Sequence, residues 1–375
     1  MKIGILTLPL HSNYGGILQA YALQKVLKAM GHEAIFLDRR RLDEKPTVGV
    51  LRWKIKNMLR PLYYTVRSFL EHEVYRDSNY NTYGFIHQFL VPISEPLYTT
   101  DELKHEISRL QLDSIVVGSD QVWRPWNKDP KFIRLKDYFL DFIPGTAIHK
   151  WTYAVSFGKD SWEVGDADIS DYKKMAQSFA AISVREESGI EIVKQHLNRD
   201  AIQVLDPTLL LDKESYIALA GENSCTQGAG KLFSYMLDKS TAKRAMVERM
   251  SQLIDREVEE ITPIGKYKIL PSPINWIRAF MNADFVITDS FHGCVFSIIF
   301  NKQFIALGNE GRGQARFSSL FRIFGLENRL VEEDVPVNVA KDKLLDEIGW
   351  DKVNRIKTDW QQISKSYITE SLKRV

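Results

Sequence analysis

The chain has 375 residues, 44% of them hydrophobic, more than a single core usually holds, so two domains are expected. Its 50 Lys and Arg against 48 Asp and Glu leave a net charge of +2, which argues against a general nucleic-acid binder. The two cysteines, Cys225 and Cys294, supply neither a disulfide framework nor a zinc-ligand spacing, and no arrangement of His, Asp and Glu demands a metal.

The opening, MKIGILTLPLHSN, has too short an apolar run for a signal peptide and lacks an A-x-A site. No apolar run approaches the roughly 20 residues that span a bilayer. The expectation is a soluble cytoplasmic protein.

Ile3 to Leu8 reads as a buried strand, followed by the polar glycine turn HSNYGG. Ile17, Leu18, Ala20, Tyr21, Leu23, Gln24 and Leu27 fit helical spacing, with Gly31 as the stop signal. Glu33 to Leu37 is a second strand, which completes a βαβ opening and favours a parallel sheet. Residues 39 to 67 break the pattern, with nine basic residues against Asp43 and Glu44 and with Trp53, Met58, Tyr63 and Tyr64 interleaved. The favoured reading is a solvated helical excursion. The alternative is a basic amphipathic element that meets an anionic substrate, or the inner face of a membrane where a glycolipid acceptor is held.

Further strands follow at Asp113 to Val117 and Trp151 to Val155, and the polar stretch SWEVGDADISD after Asp160 looks like a domain boundary. Beyond it, AAISV, IQVLDPTLLL, KLFSYML, EEITPI, DFVITD and QFIAL alternate with helical patterns as a second α/β unit. The stretch from about Asp351 to Leu372 reads as a helix that packs back across the first unit. The division expected is residues 1–170, 171–350 and 351–375.

Several strand-to-helix junctions carry residues suited to anion chemistry. In FVITDSFHGCVFSIIF, Thr288, Asp289 and Ser290 are strand-end and cap types, and His292 and Gly293 open the helix. Ligands of open α/β sheets lie beyond the carboxyl ends of strands, where a histidine can donate to an anion or pass a proton. The plain alternative is a capping turn with a satisfied histidine. In SVREESG, Arg185 stands at a strand end, where its guanidinium can grip a carboxylate or phosphate or simply pair with Glu186 or Glu187. VGSDQVW places Ser119 and Asp120 at a third strand end, with Asp120 either a general base or a cap. GNEGRGQARFSSLF adds Arg312 and Arg316 on a glycine-rich loop.

The ordered pieces NYGGILQAYAL, VGSDQVW, VSFG, SVREESG, VLDPTLLL, TDSFHG and ARFSSLF resemble the polysaccharide pyruvyl transferases over residues 3 to about 330. The resemblance implies a GT-B-like α/β fold, with two Rossmann-like domains facing across a cleft. It also implies transfer of an enolpyruvyl-derived unit from phosphoenolpyruvate to a sugar of a cell-surface polysaccharide or its lipid-linked precursor. The product expected is a pyruvate ketal, with phosphate released and with no cofactor. Carried onto this sequence, it suggests Arg185 as a donor ligand and the turn Ser290-Phe291-His292-Gly293 as part of the donor pocket. Many members carry arginine where this chain has Ser290, so Arg312 or Arg316 is expected to compensate, or the donor differs. Asp120 then serves as base toward the sugar hydroxyl and His292 as partner of the departing phosphate. Asn13, Tyr14, Gly15 and Gly16 form the acceptor side with Ser119, the glycines allowing a ligand or the other domain to approach the backbone. Two rivals stand beside this reading: a nucleotide-sugar glycosyltransferase of the same fold, kept alive by Glu310, and an inactive glycan- or anion-binding relative, suggested by Ser290. The oligomeric state is left open.

Overall fold

The computed structural model describes residues 1–45, 79–125, 133–143, 148–221, 230–238, 240–261, 269–308 and 315–373. Arg312, Glu310, Cys225 and residues 46–67 of the basic stretch lie outside them.

Two parallel sheets form the framework. The first has six strands in the order β2-β1-β3-β4-β5-β6. These are β1 (Lys2–Leu6), β2 (Glu33–Phe36), β3 (Ser114–Asp120), β4 (His149–Val155), β5 (Ser183–Val184) and β6 (Ile202–Gln203). The second has five strands in the order β11-β10-β9-β7-β8. These are β7 (Lys231–Tyr235), β8 (Glu257–Glu260), β9 (Ala283–Thr288), β10 (Gln303–Leu307) and β11 (Leu330–Val331). The central strand β3, SIVVGSD, is buried along its whole length, as expected of a parallel strand covered on both faces. The fold is GT-B-like: two Rossmann-like halves facing across a cleft.

The division between the halves differs from the sequence expectation. The polar stretch after Asp160 is a short loop that runs into the helix Asp166–Ala176 and lies within the first half, because β5 and β6 extend the first sheet in parallel from β4. The break falls after β6, beyond residue 203 and well past residue 170. The apolar run IQVLDPTLLL contributes only two strand residues; Asp206 and Pro207 then stop the ladder and start a short 3₁₀ turn, Pro207–Leu210. The C-terminal helix Trp350–Lys373 lies on the first sheet. Its Tyr367 hydroxyl donates to Thr152 O at 2.8 Å, and its Ser364 hydroxyl accepts from Leu205 N at 3.0 Å.

The first helix, α1 (Tyr14–Ala29), explains why the halves hold together. It is buried on nearly every face rather than along one stripe, because it lies against its own sheet and also against the helix Pro273–Asn282 of the second half. Tyr14 is fully buried and stacks on Trp276 at 5.7 Å between ring centroids, and its hydroxyl donates to Pro271 O at 2.8 Å. Residues of both halves therefore share one continuous core. Ser319 adds a polar tie, accepting from Glu187 N at 3.0 Å and from Gln203 Nε2 at 2.7 Å.

Replacing Tyr14 by Ala removes this ring and its hydrogen bond from the seam. The expected cost is about 3–5 kcal/mol, seen as a lowered Tm by scanning calorimetry, whereas Tyr14→Phe, which keeps the stack, should cost about 1 kcal/mol.

Candidate active site

Both sheets reverse strand order at one point. In the first, β1 is followed by β2 on one side and flanked by β3 on the other; in the second, β7 stands in the same way between β8 and β9. Ligands of open α/β sheets lie at such points, beyond the strands' carboxyl ends. Here the two points face each other across a cleft of about 1000 Å³. The first half contributes residues after β1 (Asn13, Gly16) and after β3 (Asp120, Gln121, Arg124). The second contributes residues after β7 (Leu237, Asp238) and after β9 (Ser290, Phe291, His292), together with Arg316 and Phe317. A second groove, of about 850 Å³, runs between β6 and the C-terminal helix and holds none of these groups.

The halves pack tightly at Gly15. A Cβ placed there would lie 2.0 Å from His292 Nδ1, so only glycine permits this packing. The first turn of α1 thus meets the start of helix Phe291–Ile299, and both helix N-termini open at the cleft with no acidic residue in their first turns. Two positive helix ends at one place favour an anion. Ser290 caps the second helix, its Oγ accepting from Gly293 N at 3.3 Å. Asp289 is not a site acid. Its carboxylate accepts from Leu237 N, Asp238 N and Lys243 Nζ at 2.6, 3.1 and 2.9 Å, which fixes the loop after β7.

Beneath the cleft floor lies a buried ionic cluster. Arg185 Nη1 donates to Asp206 Oδ2 at 3.0 Å and Nη2 to Asp120 Oδ1 at 3.3 Å. Burial works against the Arg185 charge, but Asp120, Asp206 and Glu186 outweigh it and hold the guanidinium above its ordinary value. Asp206 Oδ1 accepts both the N–H and the O–H of Thr208, at 3.0 and 2.7 Å. His292 Nε2 lies 3.5 Å from Asp206 Oδ2, a contact whose partners come from opposite halves. Burial opposes the Asp206 charge most strongly, yet His292 and Arg185 together hold its carboxyl well below the usual carboxylate range. Its stabilising contribution is therefore fully present above the unfolded value of about 3.9 and is lost only as pH falls through the depressed folded value.

The structure rearranges several roles expected from the sequence. Arg185 is not among the residues lining the cleft; it is 4% exposed and engaged by two aspartates at the floor. Its companion Glu186 likewise faces inward, accepting from Ser156 Oγ, Phe157 N and Gly158 N. Tyr14 holds the seam, and Ser119 is fully buried with its hydroxyl directed at Asp206 Oδ2, 3.5 Å away. Neither faces an acceptor. Gly15 makes room for the other half rather than for a ligand, and Gly16 lies over the Asn13 side chain. Gly293 is buried behind Ser290, where a Cβ would meet Thr288 Oγ1 at 2.2 Å. Asn13, Asp120, Ser290, Phe291, His292 and Arg316 do reach the cleft.

Asp120 has a left-handed backbone, φ 70°, a conformation aspartate tolerates. Its Oδ1 also accepts from Gln121 N at 2.9 Å. Arg316 Cζ lies 5.8 Å from the Phe291 ring centroid and Arg185 Cζ 4.6 Å from the same ring. Burial, with the Arg185 charge next, pulls the Arg316 guanidinium down to about 10. It stays charged at neutral pH, and an anion beside it would offset both effects. Asp206 is the residue the sequence reading passed over. Its signal was the order Asp-Pro-Thr after a short strand: an acceptor, a helix-start proline and a hydroxyl donor at capping spacing.

The family model for polysaccharide pyruvyl transferase matches residues 13–311. The chain belongs to the polysaccharide pyruvyl transferase family. No curated protein matches the sequence. Among solved structures it is similar to the wall teichoic acid polymerase TagF, at 9% identity over 100% of this chain and 89% of that one, with a TM-score of 0.48. It is also similar to the UDP-GlcNAc 2-epimerase of Methanocaldococcus jannaschii, at 11% identity over 95% and 98%, TM-score 0.47. A third is the spinosyn forosaminyltransferase SpnP, at 11% identity over 99% and 95%, TM-score 0.43. Among the described residues no helix is long and apolar enough to cross a membrane.

Two substitutions test this construction. Gly15→Ala forces the His292 ring aside and should destabilise by about 1–3 kcal/mol, with ring displacement visible in the variant's crystal structure. Arg185→Met leaves Asp120 and Asp206 facing each other without a cation and should cost about 3–5 kcal/mol, read as a large fall in Tm at pH 7.

Proposed function

We propose that this pyruvyl transferase family member takes phosphoenolpyruvate as donor and moves its enolpyruvyl-derived unit onto a saccharide, as a ketal across two hydroxyls. The observation that carries this reading is the meeting of two uncharged-side-chain helix starts, His292 and the buried Arg316 at one cleft. A small donor with a phosphate and a carboxylate calls for such cationic and N–H partners.

In this reading Arg316 carries the charge that Ser290 does not supply. Phosphoenolpyruvate takes a proton at carbon 3, and carbon 2 becomes oxocarbenium-like. A sugar hydroxyl attacks carbon 2 and loses its proton. Phosphate then departs, and a second hydroxyl closes the ketal with loss of its proton. The two hydroxyl protons balance the one gained by carbon 3 and the one that leaves with phosphate. Asp120, at the cleft floor with Oδ1 anchored by Arg185 and Gln121, acts as base toward the first hydroxyl in this reading. His292 serves the departing phosphate. Asn13 and Gln121 lie on the first half's side, where a sugar would rest. The acceptor is a cell-surface polysaccharide unit or its lipid-linked precursor.

Phosphate release from phosphoenolpyruvate, scanned over a panel of saccharide and glycolipid acceptors, tests the reading. Wild type should release phosphate only with an acceptor. Arg316→Met should raise KM for phosphoenolpyruvate at least tenfold, and His292→Ala should lower kcat by about 10²–10⁴-fold. Thermal stabilisation by UDP or GDP but not by phosphoenolpyruvate would instead favour a nucleotide-sugar donor.

A further inference from the structure

Arg124 lines the cleft from the first half, and the transfer proposed above gives it no part. It stands on the turn that follows Asp120, where its N–H donates to Gln121 O at 3.2 Å. Trp123, fully buried, anchors that turn: its N–H donates to Ser156 O at 3.2 Å and its indole Nε1 to Tyr138 O at 3.3 Å. The Arg124 side chain is held in turn by Gln121, whose Oε1 accepts from Nη1 at 2.8 Å. A Cβ at position 158 would lie 2.4 Å from Gln121 Oε1 and 3.0 Å from Arg124 Cδ, so Gly158 leaves room for this pair.

Arg316 lines the same cleft from the second half, on the helix Ala315–Phe324. The Arg124 charge is one of those that pull its guanidinium down, so the two cations lie close enough to repel. Asp120 and Glu186 act in the other direction, but both are engaged by the first half. Arg185 and Gln121 N hold Asp120 Oδ1, while Ser156 Oγ, Phe157 N and Gly158 N hold Glu186 Oε1. The contact of Arg124 with Glu163 is 3.8 Å long, and Glu163 is 41% exposed and also pairs with Lys159. So long and exposed a contact does little to quench the charge.

Two guanidiniums on opposite walls of one cleft suit a small ligand with two anionic ends, which relieves their repulsion by lying between them. We infer that Arg124 is a second donor-binding cation, which takes the carboxylate of phosphoenolpyruvate while Arg316 on the facing wall takes the phosphate. The planar fork of the guanidinium matches a carboxylate through two parallel hydrogen bonds. The assignment rests on phosphoenolpyruvate being the donor. It gives that donor an orientation, carboxylate toward the first half and phosphate toward the second, and it makes the donor site a product of both walls.

Titration calorimetry of the full chain with phosphoenolpyruvate, and separately with inorganic phosphate, tests the assignment. Wild type should bind both. Arg124→Gln should raise Kd for phosphoenolpyruvate by about tenfold or more and leave that for inorganic phosphate within about threefold, whereas Arg316→Met should weaken both. Glu163→Gln should leave phosphoenolpyruvate binding within about threefold, because an arginine that merely held Glu163 and its loop would make the two variants behave alike. Unchanged phosphoenolpyruvate affinity in Arg124→Gln overturns the assignment, and so does an equal loss of inorganic phosphate. Should that variant fail to fold, a wild-type crystal soaked with phosphoenolpyruvate decides. A carboxylate within hydrogen-bond reach of Arg124 supports the assignment, and one seated elsewhere overturns it. Wild type that binds inorganic phosphate but no phosphoenolpyruvate overturns the donor and this assignment with it, a result distinct from an affinity that Arg124→Gln leaves unchanged.

Discussion

The close approach of Gly15 to His292 governs the rest of the site. It brings the start of α1 against the start of the helix after β9, with less room than a single methyl group needs. From that contact follow the facing of two switch points, the crossing of an Asp–His pair between halves, and an opening walled by both. The seam is held by apolar packing and not by charge. Tyr14 stacks on Trp276 there, with Tyr235 tilted against Tyr14 and edge-on to Trp276, and the exposed Arg322–Glu187 ion pair at the rim adds little in water.

The buried cluster under the floor has a different task. A buried ion pair is a weak source of stability, since desolvation opposes it. Arg185 is better understood as fixing two carboxylates, Asp120 at the end of β3 and Asp206 after β6. One of these faces the cleft and the other faces His292. A single cation thus sets the distance between Asp120 and Asp206, and the cleft itself is left with Arg316 and the two helix starts.

Much of this was legible in the sequence. Alternating apolar strands and helical spacing gave the α/β class, and the junctions at Asn13, Asp120 and His292 did converge, because all three lie at strand carboxyl ends. What periodicity cannot show is which sheet a short strand joins. SVREE reads as the opening of a new unit, yet Ser183 and Val184 complete the first sheet. Direction was equally hidden. Arg185 and Ser119 occupy site-like positions, but their side chains turn inward to Asp206, and a lone Asp before proline looks like an ordinary turn until its partners are seen in space. Tyr14 was misread for a related reason: a tyrosine beside glycines suits a sugar, and nothing local reveals that Trp276 waits across the seam.

The most direct test of the whole account is a crystal soaked with phosphoenolpyruvate. The account predicts donor density in the cleft beside Phe291, with its phosphate within hydrogen-bond reach of His292 and Arg316 and with the Arg185–Asp206 pair undisturbed. Density bound instead to Arg185 after the cluster has opened, or seated away from both helix starts, would contradict it.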